Sequence, residues 1–289
     1  MNDQAERLRN LVRRHRAARP KQTRVITVTS GKGGVGKSNF TLNFALGLQA
    51  RGYDSLVFDA DIGLANIDVL MGVSPGYSLY HLLKKEKTIW EIIQQGPRNL
   101  RYIAGGSGFY DLFRLSDQDL DFFTRQIEQL YGDVDYILFD TGAGLSKETV
   151  SFILAADETI LVTTPEPTAI TDAYATVKMI HGMEPTIPFK LVINRAADNR
   201  EGMETADKIS MAAKRFLGTD IHPLGYIPDD ASVSKAVKQQ IPFSLAFPHC
   251  AAARGIDQIV SRFLAGTEAE GTDRGGMKGF IRRIVQMFR

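Results

Sequence analysis

The chain has 289 residues, 44% of them hydrophobic, enough for one large α/β domain but short of two full ones. Its single cysteine, Cys250, excludes an intrachain disulfide and argues against an iron–sulfur carrier, which needs several thiolates. The net charge of +2 hides two basic ends: residues 1–24 carry eight Arg/Lys against Asp3 and Glu6, and residues 277–289 carry four with no acid, leaving the rest at about −8. With no signal peptide and no apolar run near 18 residues, a cytoplasmic chain that does not span a membrane is expected.

In chain order, a basic segment over 1–23 comes first. Val25-Ile26-Thr27-Val28-Thr29 then reads as a buried parallel strand over 24–29. Gly31, Gly36, Lys37 and Ser38 follow at the spacing G-x-x-x-x-G-K-[ST], a phosphate-binding loop. Backbone amides from Gly31 through Lys32, Gly33, Gly34, Val35 and Gly36 can cradle phosphate oxygens where no Cβ blocks the approach. Lys37 would reach the β- and γ-phosphates, and Ser38 would offer its hydroxyl to Mg2+. Asn39 belongs to the same nucleotide-binding set, at the start of a helix over 38–50 whose N-terminal dipole favours an anion.

A strand over 55–59 leads into Phe58-Asp59-Ala60-Asp61, two carboxylates at a strand end that can serve a metal and a water together. Strands at 101–104 and 134–139 follow, with a helix over 116–131. The second strand runs into Asp140-Thr141-Gly142-Ala143-Gly144, a carboxylate and a glycine turn of the kind a conformational switch needs. Helices over 146–155, 168–181, 203–217 and 249–264 alternate with strands over 158–163, 189–194 and 223–227. The alternation predicts an α/β fold, a mostly parallel twisted sheet with helices on both faces and ligands at the carboxyl ends of the strands. Asn194-Arg195 and Ile227-Pro228-Asp229 sit at two such ends, where turn chemistry alone also accounts for them.

Residues 266–276 read as a flexible tether. At 100° per residue the last 13 positions place Met277, Phe280, Ile281, Ile284, Val285, Met287 and Phe288 on one side and Lys278, Arg282, Arg283 and Arg289 on the other. Such a helix, roughly 20 Å long, is too short to span a bilayer but suits an in-plane site on an anionic membrane. The competing reading is a helix packed on its own body.

Lys32 inside Lys-Gly-Gly-Val-Gly-Lys-Ser resembles the deviant Walker A motif of the MinD/ParA ATPases, shared with nitrogenase iron protein and the arsenical-pump ATPase. The resemblance implies a P-loop NTPase of the MinD/ParA (SIMIBI) class, with ATP/ADP and Mg2+ as ligands and slow hydrolysis. It also implies an ATP-dependent homodimer in which Lys32 reaches the partner's phosphates. Asp61 would position the attacking water, and Asp59 would support the metal. Asp140 would bind Mg2+, and Gly142 would sense the γ-phosphate. Asn194 and Arg195, with Ile227, Pro228 and Asp229, would frame adenine. The choice of ATP over GTP rests on the family, since no Asn-Lys-x-Asp motif occurs.

The C-terminus is similar to that of MinD, which implies peripheral attachment to the inner face of the cell membrane. At the other end, Asp3-Gln4-Ala5-Glu6-Arg7-Leu8-Arg9 resembles the activator segment of the FlhG (YlxH/FleN) flagellar-number regulators. Residues 61–68 and 163–174 resemble that subfamily too. The resemblance implies that Asp3, Gln4, Ala5, Leu8 and Arg9 stimulate the signal-recognition-type GTPase FlhF, with Gln4 orienting water, and that C-ring switch proteins are partners. A disordered basic tail is the plain alternative for residues 1–24. A MinD-type division regulator shares the terminal helix but has no use for residues 1–20. A ParA-type partition ATPase would instead bind DNA non-specifically; no specific nucleic acid is expected.

Overall fold

The structure, a computed structural model, describes residues 23–61, 66–105, 116–269 and 274–288. Their strands are β1 (Arg24–Thr29), β2 (Ser55–Ala60), β3 (Gln94–Gln95), β4 (Arg101–Ile103), β5 (Tyr136–Thr141), β6 (Glu158–Thr163), β7 (Phe189–Ala196) and β8 (Ile221–Pro228). They form one sheet in the order β3-β4-β2-β5-β1-β6-β7-β8. Every pairing is parallel except β3 with β4 at one edge. The expected α/β architecture is therefore present. β1 lies between β5 and β6, so the winding reverses there and a crevice opens at the carboxyl ends of the strands.

The helices are α1 (Lys37–Ala50), α2 (Ile67–Met71), α3 (Leu79–Leu83), α4 (Ile89–Ile92), α5 (Asp117–Glu128), α6 (Lys147–Ala155), α7 (Pro167–Met183), α8 (Asn199–Leu217), α9 (Ala231–Gln239), α10 (Phe243–Ala246), α11 (Ala251–Ala269) and α12 (Gly276–Phe288). Successive strand residues point to opposite faces, which splits the core. Ile26, Val28, Val57, Leu138, Ile160 and Val162 pack on one face with Phe40 and Phe44 of α1 and Phe263 of α11. Val25, Leu56, Phe58, Ile137 and Phe139 turn to the other face, under α3, α4, α5, α6 and α12.

Several boundaries depart from the expected ones for visible reasons. β5 runs on to Thr141, because Asp59 pairs with Asp140 and Ala60 with Thr141 in register, so the carboxylate lies in the sheet rather than beyond it. α8 starts at Asn199, where Asp198 caps it by accepting from the Glu201 amide at 2.8 Å. α11 continues to Ala269, into the stretch expected as a tether. The short helices α3 and α4 were too brief for periodicity to reveal, yet each opens with a capping box, Ser78 with His81 and Thr88 with Glu91.

The terminal helix takes the competing arrangement, packed on its own body. The apolar face of α12 lies against the body: Met277, Phe280, Ile281 and Ile284 are buried, and Val285 and Met287 pack beside them. Phe280 stacks on Phe139 of β5 at a centroid distance of 4.9 Å, and Phe139 stacks on Phe152 of α6 at 4.9 Å. Lys278 and Arg282 stay exposed as expected, but Arg283 does not. Its guanidinium turns inward to the Ala155 carbonyl, where a cation satisfies the last carbonyls of α6. No helix among the described residues is long and apolar enough to cross a membrane. The side chain of Phe288 and all of Arg289 lie outside the described residues, as do Asp3, Gln4, Ala5, Leu8 and Arg9.

Candidate functional site

The loop from Ser30 to Gly36 joins β1 to α1 at the crevice. Two glycines there are required by geometry. A Cβ on Gly31 would lie 2.5 Å from the Asp172 backbone of α7, and one on Gly36, at φ +90°, would lie 2.3 Å from Asn194 Nδ2. The loop is thus wedged between α7 and the end of β7. Gly36 leads directly into the first turn of α1, which carries no acidic residue to compete with a bound anion.

Lys37 Nζ pairs with Asp140 Oδ1 at 3.0 Å, and both side chains are buried. Thr41, one turn further along α1, donates to the same oxygen at 2.8 Å. Asp140 Oδ2 is buried without a hydrogen-bond partner. Ser38 Oγ lies 3.5 Å from Lys37 Nζ, so the hydroxyl, the lysine and the carboxylate meet at one point. Among the described residues no group of three or more His, Cys, Asp or Glu side chains could hold a metal by itself. Mg2+ does not need one when phosphates and waters supply most of its ligands. The Asp140 carboxylate and the Ser38 hydroxyl, both within reach of Lys37 Nζ, fit that demand.

Asp59, expected to support the metal, accepts hydrogen bonds from three backbone amides. Its Oδ1 accepts from the Asp61 amide at 3.3 Å, and its Oδ2 accepts from the Asn66 and Ile67 amides at 3.0 and 3.1 Å. It therefore ties together the two ends of the segment from Asp61 to Asn66. Burial, and then the neighbouring Asp140 charge, push its carboxyl up to about 7. Asp61 reaches the switch glycine: a Cβ on Gly142 would lie 3.5 Å from Asp61 Oδ1. Residues 62–65, between Asp61 and Asn66, lie outside the described residues. The glycine turn after Asp140 is held by Gly144, whose amide donates to the Ser30 carbonyl at 2.8 Å. It is also held by Thr149 Oγ1, which donates to the Gly142 carbonyl at 3.5 Å.

Asn194, Arg195, Ile227, Pro228 and Asp229 come together at the ends of β7 and β8, with Asn194 paired to Ile227. Asn194 Nδ2 donates to the Val35 carbonyl at 2.7 Å, joining this group to the phosphate loop. Asn39 is partly exposed at the start of α1. Lys32 points elsewhere. It pairs with Glu166 at 3.2 Å and donates to Thr168 at 3.0 Å, at the N-terminus of α7. Sequence reasoning missed the roles of Thr41, Glu166 and Thr168. Thr41 was findable, since it sits four residues after Lys37 on the same helix face.

The chain matches the CobQ/CobB/MinD/ParA nucleotide binding domain over residues 26–243. It is 37% identical over 297 residues to the flagellum site-determining protein YlxH of Helicobacter pylori, covering 99% of each chain. It is 34% identical over 262 residues to the antiactivator FleN of Pseudomonas aeruginosa, covering 91% of this chain and 93% of that one. The septum site-determining protein MinD of Pyrococcus horikoshii, solved with Mg-ADP, superposes with a TM-score of 0.69 at 25% identity, over 86% of this chain and 99% of that one.

Proposed function

Because the chain belongs to the CobQ/CobB/MinD/ParA nucleotide-binding family and is an ATPase of the MinD/ParA class, we propose that it is a slow, membrane-associating ATP switch that sets flagellar number or placement. The observation that carries the flagellar reading is the likeness to YlxH, a flagellum site-determining protein, over 99% of both chains. That likeness spans the N-terminal extension, which a division-site MinD has no use for.

The chemistry follows from the side chains. The Gly31–Gly36 amides and Lys37 would bind the phosphates, and Ser38 with Asp140 would hold Mg2+, which would supply charge neutralisation at the phosphate oxygens. Asn194, with the Ile227–Asp229 turn, borders the base. Asp61 orients the attacking water beside Gly142. Lys37, paired with Asp140 here, would turn to phosphate when nucleotide binds, and the carboxylate would then be available to hold the metal. In the ATP state Lys32 crosses to a second copy of the chain, and α12 leaves the body for anionic lipid. The docked position described above is then the resting one. Residues 1–23 act on the partner GTPase, and C-ring switch proteins bind elsewhere on the body.

The test is GTP turnover by the flagellar signal-recognition-type GTPase, with and without a peptide of residues 1–20. Stimulation that Gln4→Ala abolishes is the expected result. No stimulation would sink the flagellar assignment and leave a MinD-type division ATPase.

A further inference from the structure

Two periodicities meet at Asp140. Leu138 packs on the face of the sheet that α1 covers, and Asp140, two residues on in β5, points the same way. On α1, Lys37 and Thr41 lie four residues apart and share a face. Both reach Asp140 Oδ1, Lys37 Nζ at 3.0 Å and Thr41 Oγ1 at 2.8 Å. Asp140 Oδ2 is buried too and has no hydrogen-bond partner among the described residues. The two oxygens of this carboxylate are therefore unlike: one is held by two donors, the other by neither.

The two donors are not equivalent. The Lys37 ammonium is the group that phosphate competes for, so on the reading above its bond to Asp140 belongs to the nucleotide-free protein. Thr41 is fully buried, one turn into α1 beyond the phosphate loop. The ordinary reading of a threonine inside a helix is a back-bond to the carbonyl four residues earlier. Thr41 Oγ1 does lie 3.1 Å from the Lys37 carbonyl. A hydroxyl has one proton, however, and the carboxylate is both the closer acceptor and the charged one. A valine would fill nearly the same space and offer Asp140 no donor.

We propose that Thr41 is a positioning residue for the metal. Once Lys37 has turned to phosphate, the Thr41 hydroxyl keeps Oδ1 on the α1 side and leaves Oδ2 as the oxygen available to Mg2+. Thr41 takes this part only if Asp140 holds the metal, as proposed above. It acts through Asp140 and touches neither phosphate nor metal.

Binding of a fluorescent, non-hydrolysable ATP analogue to the full chain, titrated with Mg2+ and repeated in EDTA, separates the metal from the nucleotide. Thr41→Val should raise the half-saturating Mg2+ concentration roughly tenfold, for a lost hydrogen bond to a charged group, and leave affinity in EDTA within about twofold. Thr41→Ser keeps the hydroxyl and should restore most of the wild-type requirement. Asp140→Asn should raise the requirement as well, and in that background Thr41→Val should add little. If urea unfolding shows that Thr41→Val does not fold, Thr41→Ala removes the same hydroxyl and carries the same expectation.

Three results would overturn the role of Thr41 and leave the metal site standing. They are a Mg2+ requirement unchanged in Thr41→Val, an equal rise from Thr41→Val with and without Asp140→Asn, and an equal loss of affinity with and without Mg2+. A wild type indifferent to Mg2+, or a requirement that Asp140→Asn does not move, would overturn the metal site and the role of Thr41 with it.

Discussion

Lys37, Asp140 and Thr41 show how nucleotide and stability share the same side chains. Lys37 and Asp140 are buried against each other, so removing the lysine leaves an uncompensated buried carboxylate. Lys37→Ala is expected to abolish ATP binding and also to destabilise the nucleotide-free protein, by up to about 3–5 kcal/mol. Lys37→Ala with Asp140→Asn should recover most of the stability and none of the binding. Urea unfolding and nucleotide titration together separate the two effects. Asp59 adds a pH dependence. Its folded carboxyl titrates near 7 against an ordinary 3.8, so the folded state keeps a proton that the unfolded chain has already lost. That contribution is present in full below about pH 4 and disappears as pH rises through about 7. The Tm of nucleotide-free wild type should fall over that window relative to Asp59→Asn, and parallel curves for the two proteins would remove Asp59 as the cause. The loop, Asp59, Asp61 and Asp140 were legible because fixed spacing marks them. The partners of Lys32 and Asp140 were not, since Thr41, Glu166 and Thr168 become partners only through tertiary contact.

At the scale of elements, β1, β6 and β7 are tied at their starts by a buried ion cluster. Glu158 contacts Arg24 at 2.9 Å and Lys190 at 3.2 Å, and Lys190 sits 5.0 Å over the Phe263 ring of α11. The three charges are far from the phosphate loop, so the cluster serves the sheet. Glu158→Ala strands Lys190 in the core, and a loss of about 3–5 kcal/mol in urea unfolding is expected. Nucleotide affinity should be unchanged when measured well below the new midpoint. The central strands were readable as continuous apolar runs because both faces are covered, the signature of a parallel sheet. The edge strand β3 and the helices α2, α3 and α4 were hidden in residues 67–95, whose elements are too short to show a period. For α12 the sequence revealed the stripe but not its partner. Periodicity reports that a face is apolar, and the same stripe suits a bilayer or the cleft between α5 and α6.

For the whole molecule, the position of Lys32 and the docking of α12 point the same way. Lys32 is held by Glu166 and Thr168 on its own chain, and the apolar face of α12 is spent on its own body. Both features place these groups on contacts within one protomer. On the proposed function, ATP would do two things, turn Lys32 toward a partner and favour release of α12. A single short helix binds lipid weakly, at about 1 kcal/mol for each basic residue near an anionic surface. Two helices on one proposed dimer would gain on the order of a hundredfold or more by avidity. Lys32→Ala is therefore expected to bind ATP normally, to remain monomeric in light scattering, and to lose most ATP-dependent sedimentation with phosphatidylglycerol vesicles. A chain ending at residue 275 should dimerise with ATP and yet stay in the supernatant. If Lys32→Ala sediments with vesicles as well as the wild type does, membrane attachment is independent of the dimer, and nucleotide acts on α12 within one protomer, through the Phe139–Phe152–Phe280 stack beside Asp140.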